Sequence, residues 1–247
     1  MDMRYRYDGY RVAVKGRLAV GLSTQVDVGG SGILLDQGTI LGTPSTLSLS
    51  SSSVNDAALG TGARTVLVVG FGETGIYQEE LVTMNGYTPV VTTKKFLRHF
   101  LNIVKSLGSL DGNAGIIYTV KTGTGGTYTN GVPGVLTAAS LTCVMLAGTN
   151  QGTSCFYTTP NAPGKKWILT GIGCSCATQA GLVFIQTKDW ANSSPALREF
   201  YVNLSPGVPF DKDLRDLNIQ VGPLTDVRVL AMGTGMAVNA YLTLEIM

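Results

Sequence analysis

The chain has 247 residues, of which 44% are hydrophobic and only 14% are charged, whereas an average soluble domain has roughly 25% charged residues. Its 18 basic and 16 acidic residues give a net charge of +2, which is too small to attract nucleic acid through an overall electrostatic field. No apolar run reaches the roughly 18 residues of a membrane span, so we expect no membrane partner, and the neutral composition favours burial of surface against other subunits.

Strand patterns dominate the sequence. Short runs of Val, Ile, Leu, Thr and Tyr alternate with Gly, Asn, Asp and Pro about every 8–12 residues, which predicts an all-β fold, an antiparallel β-sandwich or jelly roll with an extended N-terminal arm. We predict an arm or irregular extended segment over 1–59, a smaller β unit over 60–130 and a jelly-roll-like sandwich over 131–247. The boundary near 130 rests on the Gly- and Thr-rich connector 122–131.

The N-terminal segment mixes basic and aromatic residues. Arg and Tyr alternate over 1–11, a pattern that could contact nucleic acid, but Asp2 and Asp8 reduce the positive charge, so an arm against a neighbouring subunit or an edge strand is the interpretation. A strand is predicted over 12–20. The serine-rich residues 48–53 are predicted to be an exposed strand or a loop.

From residue 62 the strand signals become regular. Strands over 63–69 and 76–84 flank the turn 70–75, and Asn85-Gly86 predicts a second tight hairpin. Residues 95–104 fit both a helical face and a long strand, and both are kept open. Two further strands are predicted over 88–93 and 114–121, followed by the eight that a jelly roll would use: 138–147, 153–158, 166–176, 181–188, 197–204, 214–221, 226–232 and 236–246.

Two motifs could indicate catalysis or a cofactor, and neither meets the chemical requirements. Gly70-Phe-Gly72-Glu-Thr-Gly75 matches the dinucleotide fingerprint, but the residues after it suit a hairpin and not the helix that would hold a pyrophosphate. His99 is the single histidine and lies in an apolar segment, which favours a structural role. We predict no cofactor and no catalytic residue here.

The remaining reactive side chains are scattered. The four cysteines are Cys143, Cys155, Cys174 and Cys176. We predict that they are buried free thiols, because their spacing is not that of a zinc site. A glycoside hydrolase needs two carboxylates that face each other across a cleft. The candidates are Glu73, Glu79, Glu80, Asp211, Asp213 and Asp216. Residues 211–216 are predicted to form a solvated loop. We therefore predict no metal site and no enzyme. Trp167, Trp190 and ten tyrosines leave carbohydrate binding open.

Several segments resemble one group of proteins. Gly60-Thr-Gly-Ala-Arg64, Glu79-Glu-Leu-Val-Thr-Met-Asn-Gly86 and Tyr157-Thr-Thr-Pro-Asn-Ala-Pro-Gly-Lys165 are similar to a recurring pattern in virion structural proteins of tailed phages and large double-stranded DNA viruses. The resemblance covers the chain from about residue 58 onward, and Met84 and Tyr87 replace the usual Leu and Thr.

The resemblance implies a structural component of a virus particle: a minor capsid, cement, vertex or fibre-base protein located in the virion. Its expected partners are copies of itself, as a trimer or pentamer, and other capsid or tail proteins. The alternative is a carbohydrate- or receptor-binding module of a viral spike or tail, and the second alternative is a β-sandwich hydrolase.

Overall fold

The computed structural model describes residues 11–20, 26–27, 43–136, 140–153, 156–159, 161, 164–176, 180–189, 197–232 and 236–246. In these ranges the chain is all-β, with antiparallel pairing throughout and one three-residue 3-10 turn at Arg215–Leu217. The strands are β1 Arg11–Val20, β2 Val26–Asp27, β3 Leu47–Ser51, β4 Ala63–Phe71, β5 Tyr77–Thr83, β6 Val90–Val91, β7 Arg98–Leu107, β8 Ile117–Lys121, β9 Tyr128–Thr129, β10 Val132–Pro133, β11 Leu141–Met145, β12 Gln151–Thr153, β13 Phe156–Thr158, β14 Trp167–Cys176, β15 Gly181–Asp189, β16 Leu197–Leu204, β17 Phe210–Asp213, β18 Gln220–Val221, β19 Thr225–Met232 and β20 Met236–Ile246. No helix within the described ranges is long and apolar enough to cross a membrane.

The chain divides into two compact units, one of which is interrupted by the other. The split unit comprises Met1–Gly32 and Cys155–Met247, and the inserted unit comprises Ile33–Ser154. The predicted boundary at residue 130 lies inside the inserted unit, because β11 pairs with β8 and β12 pairs with β7. The predicted segment 1–59 likewise supplies β1 to the split unit and β3 to the inserted unit.

The split unit has the strand order of a jelly roll. One sheet runs β1-β20-β14-β17, with β18 also on β14, and the other runs β13-β19-β15-β16, with β2 also on β19. Without the two-residue strands β2 and β18, the unit has eight main strands in chain order: β1, β13, β14, β15, β16, β17, β19 and β20. The first of these pairs with the eighth, the eighth with the third and the third with the sixth, which is the jelly-roll arrangement of two Greek keys. Apolar side chains from both sheets fill one core that includes Trp167, Ile172, Val183, Val227 and Leu244.

The inserted unit has the same pairing scheme in a different chain order. Its two four-stranded sheets run β11-β8-β3-β6 and β12-β7-β4-β5, with β9 and β10 as a separate pair. Its eight main strands can be numbered one to eight in the circular order β5, β6, β7, β8, β11, β12, β3, β4. With this numbering its six strand pairings are the same as those of the split unit. The inserted unit is therefore a circularly permuted version of the jelly-roll pairing. Its core contains Leu47, Val66, Phe96, Ile117 and Met145, drawn from both sheets.

The serine-rich segment is a buried central strand and not an exposed strand or a loop. All five residues of β3 are buried, between β6 and β8. Leu47 and Leu49 belong to the core, while Ser50 Oγ donates to the Gly131 carbonyl at 2.7 Å. The predicted connector 122–131 therefore packs on this strand, and local composition failed because a tertiary contact satisfies the hydroxyl group.

Three further local expectations are decided by pairing. Residues 98–107 form the strand β7, so the helical alternative for 95–104 is wrong, since both edges of β7 are hydrogen-bonded to β4 and β12. Asn85-Gly86 is a turn, with Gly86 at φ +58°, but not a hairpin, because β5 and β6 pair with strands of different sheets. The turn 70–75 does join the paired strands β4 and β5, as predicted.

The segment after Pro209 reverses the prediction. Residues 210–213 form β17 against β14 where a solvated loop was predicted, and the predicted strand 214–221 consists of the 3-10 turn and the two-residue β18. The Asp213 carboxylate accepts from the Arg215 N–H at 2.9 Å and Asn218 takes a left-handed conformation at φ 47°, so the backbone turns here.

Candidate interaction surface at the loop end of the inserted unit

Four connections of the inserted unit meet at one end of its two sheets, which we call the loop end. They are residues 52–62, 84–89, 108–116 and 146–150, which join β3 to β4, β5 to β6, β7 to β8 and β11 to β12. Backbone hydrogen bonds link neighbouring connections, including Gly86 N–H to the Asp56 carbonyl at 2.7 Å, Leu110 N–H to the Thr61 carbonyl at 2.9 Å and Gly148 N–H to the Asn113 carbonyl at 2.8 Å. The loop end is therefore one hydrogen-bonded structure.

Asp56 is the central anchor of the loop end. Its side chain is fully buried and accepts four hydrogen bonds. Oδ1 accepts from the N–H groups of Ala63 at 2.7 Å and Ala114 at 2.8 Å, and Oδ2 accepts from the Gly115 N–H at 2.9 Å and the Ser51 hydroxyl at 2.5 Å. Because a buried carboxylate is costly unless it is fully hydrogen-bonded, these four bonds fix three chain segments against one side chain.

One glycine of the Gly60-Thr-Gly-Ala-Arg64 pattern, Gly62, makes room for this anchor. A Cβ on Gly62 would lie 2.2 Å from Asp56 Oδ1 and 2.7 Å from the Ala114 nitrogen. Since no side chain fits at that distance, glycine is needed for the backbone to approach the carboxylate. Gly62 of the recognised pattern therefore forms one side of the Asp56 site.

Asn113 ties the fourth connection to the third. Its side chain is buried, with Nδ2 donating to the Gly115 carbonyl at 2.6 Å and Oδ1 accepting from the Thr149 N–H at 2.8 Å. Neither Asp56 nor Asn113 was singled out in the sequence. Two sequence features could have indicated these anchors. One is an Asp four residues before a Gly-x-Gly that precedes a strand, and the other is the Asn of an Asp-Gly-Asn turn.

The anchored loops expose apolar side chains to the solvent. Each of the four connections contributes at least one, with exposed fractions from 38% to 93%: Val54, Leu59, Tyr87, Leu110 and Leu146. Within the four connections the charged residues are Asp111 and the buried Asp56, and the half-buried Arg64 side chain of β4 donates from Nε to the Gly60 carbonyl at 3.0 Å. At the opposite end of the unit Ile76, Val135 and Leu136 are also exposed, but the connections there include Glu73, Lys94 and Lys95.

The predicted structural histidine lies in a buried polar chain. His99 Nε2 is 3.0 Å from Asn102 Oδ1, and Asn102 Nδ2 donates to Thr119 Oγ1 at 2.6 Å, so Nε2 carries the proton. Nδ1 is 2.9 Å from the Thr142 hydroxyl, which is also 3.0 Å from the Thr119 carbonyl. Burial lowers the pKa of His99 to about 4, and the ring is therefore neutral at pH 7.

Four of the six carboxylates considered for hydrolysis have structural partners, three of them in the inserted unit and one in the split unit. In the inserted unit Glu73 pairs with Lys95 at 3.2 Å, and Glu80 accepts from the N–H groups of Thr93 and Lys94. Glu79 accepts from the Tyr77 hydroxyl, and burial, together with this bond, raises the pKa of Tyr77. In the split unit Asp213 forms an ion pair with Arg215 at 2.6 Å. Asp211 and Asp216 are exposed residues of the same unit.

The cysteine and tryptophan predictions are resolved in part. Cys143, Cys174 and Cys176 are buried free thiols, as predicted, and Cys155 lies outside the described residues. Within the described ranges no three His, Cys, Asp or Glu side chains form a metal-binding group. Trp167 is a core residue that is 1% exposed, so it offers no surface to a sugar, and Trp190 lies outside the described residues.

Comparison with known proteins gives a weak structural similarity and no family. No family model and no curated protein matches the sequence. A viral particle of infectious bursal disease virus has a chain that is 10% identical over 96% of this chain and 69% of its own, with a TM-score of 0.27. A mutant VP2 protein of the same virus, in derived T=1 particles, is 11% identical over 96% and 68%, with a TM-score of 0.26. The structure of the Gx strain of the virus is 10% identical over 98% and 72%, with a TM-score of 0.24.

Proposed function

We propose that the chain is a structural component of a virus particle, of the minor capsid, cement, vertex or fibre-base type, which acts by binding copies of itself and neighbouring shell proteins and not by catalysis. The observation that carries the proposal is the loop end: a hydrogen-bonded surface with few charges and with exposed apolar side chains on all four connections. Depletion of charge and enrichment of apolar side chains are features of the buried part of protein interfaces.

The anchoring of the loops supports binding in the folded state. Loops that must become ordered on association lose conformational entropy, which weakens binding. Here the side chains of Asp56 and Asn113 link three of the connections, and the Gly86 N–H, which donates to the Asp56 carbonyl, holds the fourth before any partner arrives. The exposed apolar residues can therefore bury their surface at little further entropic cost.

The fold and the sequence resemblance support the viral context of the proposal. Both units use the pairing scheme of the jelly roll, an architecture that is frequent in capsid proteins and also occurs in lectins and other folds. Repetition of one modest contact in a closed ring of subunits would give a stable shell component through multivalency, and we propose a trimer or pentamer located in the virion.

The test replaces one apolar residue of the loop end by a charge. Leu59 is 93% exposed, so Leu59→Asp should leave the fold intact and remove subunit association. The matched control is Ile76→Asp, which changes a residue that is 65% exposed at the opposite end of the same unit.

Light scattering coupled to size-exclusion chromatography gives the mass of each variant. The proposal expects a monomer for Leu59→Asp and the wild-type oligomer for Ile76→Asp. Equal masses for wild type and Leu59→Asp, or equal losses in both variants, would contradict the assignment of the interface to the loop end.

A further inference from the structure

The split unit has an open groove between the edge strands β16 and β17. The groove has a volume of about 490 Å³ and is lined by Phe200, Tyr201, Val202, Asn203, Phe210 and Lys212. Among the strands that the structure describes, β16 pairs only with β15 and β17 pairs only with β14. Each of the two sheets therefore ends at this groove with a strand edge that no described strand covers.

The wall that β16 contributes is a main-chain edge. Val202 pairs with Val183 of the core and points into the sandwich, as does Phe200, which pairs with Ile185. Tyr201 lies between them and points to the outer face of the sheet. Four consecutive residues, 200–203, nevertheless line the groove, and the feature that they share along it is the main chain. A free edge of this kind binds an extended polypeptide through main-chain hydrogen bonds.

The floor of the groove is apolar, with one cation at its rim. The ring centroids of Phe200 and Phe210 are 6.4 Å apart, and Lys212 Nζ is 5.4 Å from the centroid of Phe200, a cation–π distance. Phe210 pairs with Cys174 and Lys212 with Ile172, so both lie on the inner face of their sheet. Tyrosine suits this floor, because its ring packs on apolar walls and its hydroxyl accepts a hydrogen bond from a lysine.

Lys212 also indicates which edge is open to a further strand. An inward-pointing charge on an edge strand opposes pairing with a strand of another molecule, and β17 carries such a charge. Residues 200–204 of β16 contain neither a charged residue nor a proline. We therefore expect an added strand on β16, with one face on Phe200 and Phe210 and the other beside Tyr201.

The N-terminal residues have the pattern that such a strand requires. Residues 1–10 lie outside the described residues and precede β1. Apolar or aromatic residues alternate strictly with charged ones over Met1, Asp2, Met3, Arg4, Tyr5, Arg6, Tyr7 and Asp8. An extended chain with this sequence has one apolar and one charged face. The longer segments elsewhere outside the described residues lack this alternation, since 28–42 contains Gly29-Gly-Ser-Gly32 and 190–196 contains Pro195.

The reach of the chain shows which copy can supply this strand. β1 and β17 are three strand spacings apart, about 14 Å, and β16 lies in the other sheet, about 10 Å away, so β1 is about 17 Å from β16. Tyr7 is four residues before Arg11, the first residue of β1, and four residues span at most about 14 Å. The tyrosines of the same chain therefore fall short of the groove.

We propose that residues 1–8 of a second copy bind in this groove as an added strand on β16, with Met3, Tyr5 and Tyr7 on its apolar floor. The charged face then lies beside the exposed ring of Tyr201, on which an arginine side chain can stack. This contact rests on the proposed self-association, and it adds a contact in the split unit to the one at the loop end.

The experiment maps the contact by photo-crosslinking in the full chain. One protein carries Tyr5→p-benzoylphenylalanine and another carries Leu59→p-benzoylphenylalanine at the loop end. After irradiation a denaturing gel separates covalent dimers from monomers, and mass spectrometry identifies the joined peptides. Val202→Lys, made in the Tyr5 protein, places a charge in the groove. The matched control is Asn203→Lys, because Asn203 is exposed on the outer face of the same strand. Circular dichroism checks that each variant is folded.

We expect the Tyr5 probe to give a covalent dimer whose joined peptides include residues from 200–212. Val202→Lys should lower the yield of this dimer about tenfold, and Asn203→Lys should leave it unchanged. The proposal is overturned if the Tyr5 probe gives no dimer, reacts within its own chain or reaches only residues outside the groove, or if folded Val202→Lys keeps the full yield. A dimer from the Leu59 probe without one from Tyr5 contradicts the arm contact alone, and the reverse contradicts the loop-end assignment alone.

Discussion

Replacement of Asp56 by alanine should cost much of the stability of the inserted unit. The carboxylate accepts from three backbone N–H groups, those of Ala63, Ala114 and Gly115. Asp56→Ala leaves these donors buried without an acceptor, at about 1–3 kcal/mol each, which gives a loss of about 3–9 kcal/mol in the free energy of unfolding. This loss is comparable to the roughly 5–15 kcal/mol that stabilises a typical domain.

The assay is urea unfolding followed by two probes. Far-UV circular dichroism reports the strands of both units, whereas tryptophan fluorescence reports the split unit, because Trp167 and Trp190 both belong to it. Asp56→Ala should move a circular dichroism transition to lower urea and lower its free energy of unfolding. Asp56→Asn, which keeps one oxygen for two of the donors, should cause a smaller loss.

The control for this experiment is Asp111→Ala, which removes an exposed carboxylate from the same loop end and should change the stability by less than about 0.5 kcal/mol. An Asp56→Ala protein within about 1 kcal/mol of wild type, the lower limit for one orphaned donor, would contradict the anchoring role of Asp56, as would an Asp56→Asn protein less stable than Asp56→Ala.

Three further predictions follow from single residues. Burial lowers the pKa of His99 from 6.5 to about 4 in the folded protein. The free energy of unfolding should therefore fall by about 3 kcal/mol as the pH is lowered from above 6.5 towards 4. Urea unfolding measured from pH 7 to pH 4 should show that His99→Gln lacks this pH-dependent loss. Gly62→Ala should lower the free energy of unfolding by about 1–3 kcal/mol, whereas Gly222→Ala, whose Cβ would have 3.8 Å of space, should not. Burial raises the pKa of the Cys143 thiol to about 12, so a thiol-specific reagent should label it in urea and leave it unlabelled in the native protein.

The strand content was predictable because it is a local property. Alternating or continuous apolar runs such as 63–69 and 166–176 coincide with β4 and β14. The insertion of one unit into the other was not predictable from the sequence. It depends on the pairing of every residue of β1 with β20, which lies more than 200 residues further along the chain. Periodicity shows that a segment is a strand and gives no information on its distant partner.

The candidate surface was only partly visible in the sequence. The Gly60–Arg64 pattern attracted attention through its glycines, but the reason for Gly62 is the Asp56 carboxylate. The hydrogen-bond donors of this carboxylate come from three separate segments, at Ser51, Ala63 and Gly115. The serines of β3 looked solvent-exposed because hydroxyl groups are polar. They are buried because each hydroxyl has a hydrogen-bond partner: Thr122 Oγ1 for Ser48, the Gly131 carbonyl for Ser50 and the Asp56 carboxylate for Ser51. Exposure of Leu59 likewise depends on the fold and not on local composition.

The central claim, that the chain is an assembly subunit, is tested most directly by the mass of the wild-type protein in solution over a range of concentrations, by light scattering. One chain has a mass of 26.0 kDa, so the account predicts a discrete species of about 78 kDa for a trimer or about 130 kDa for a pentamer. A constant mass of 26.0 kDa at every concentration would contradict it.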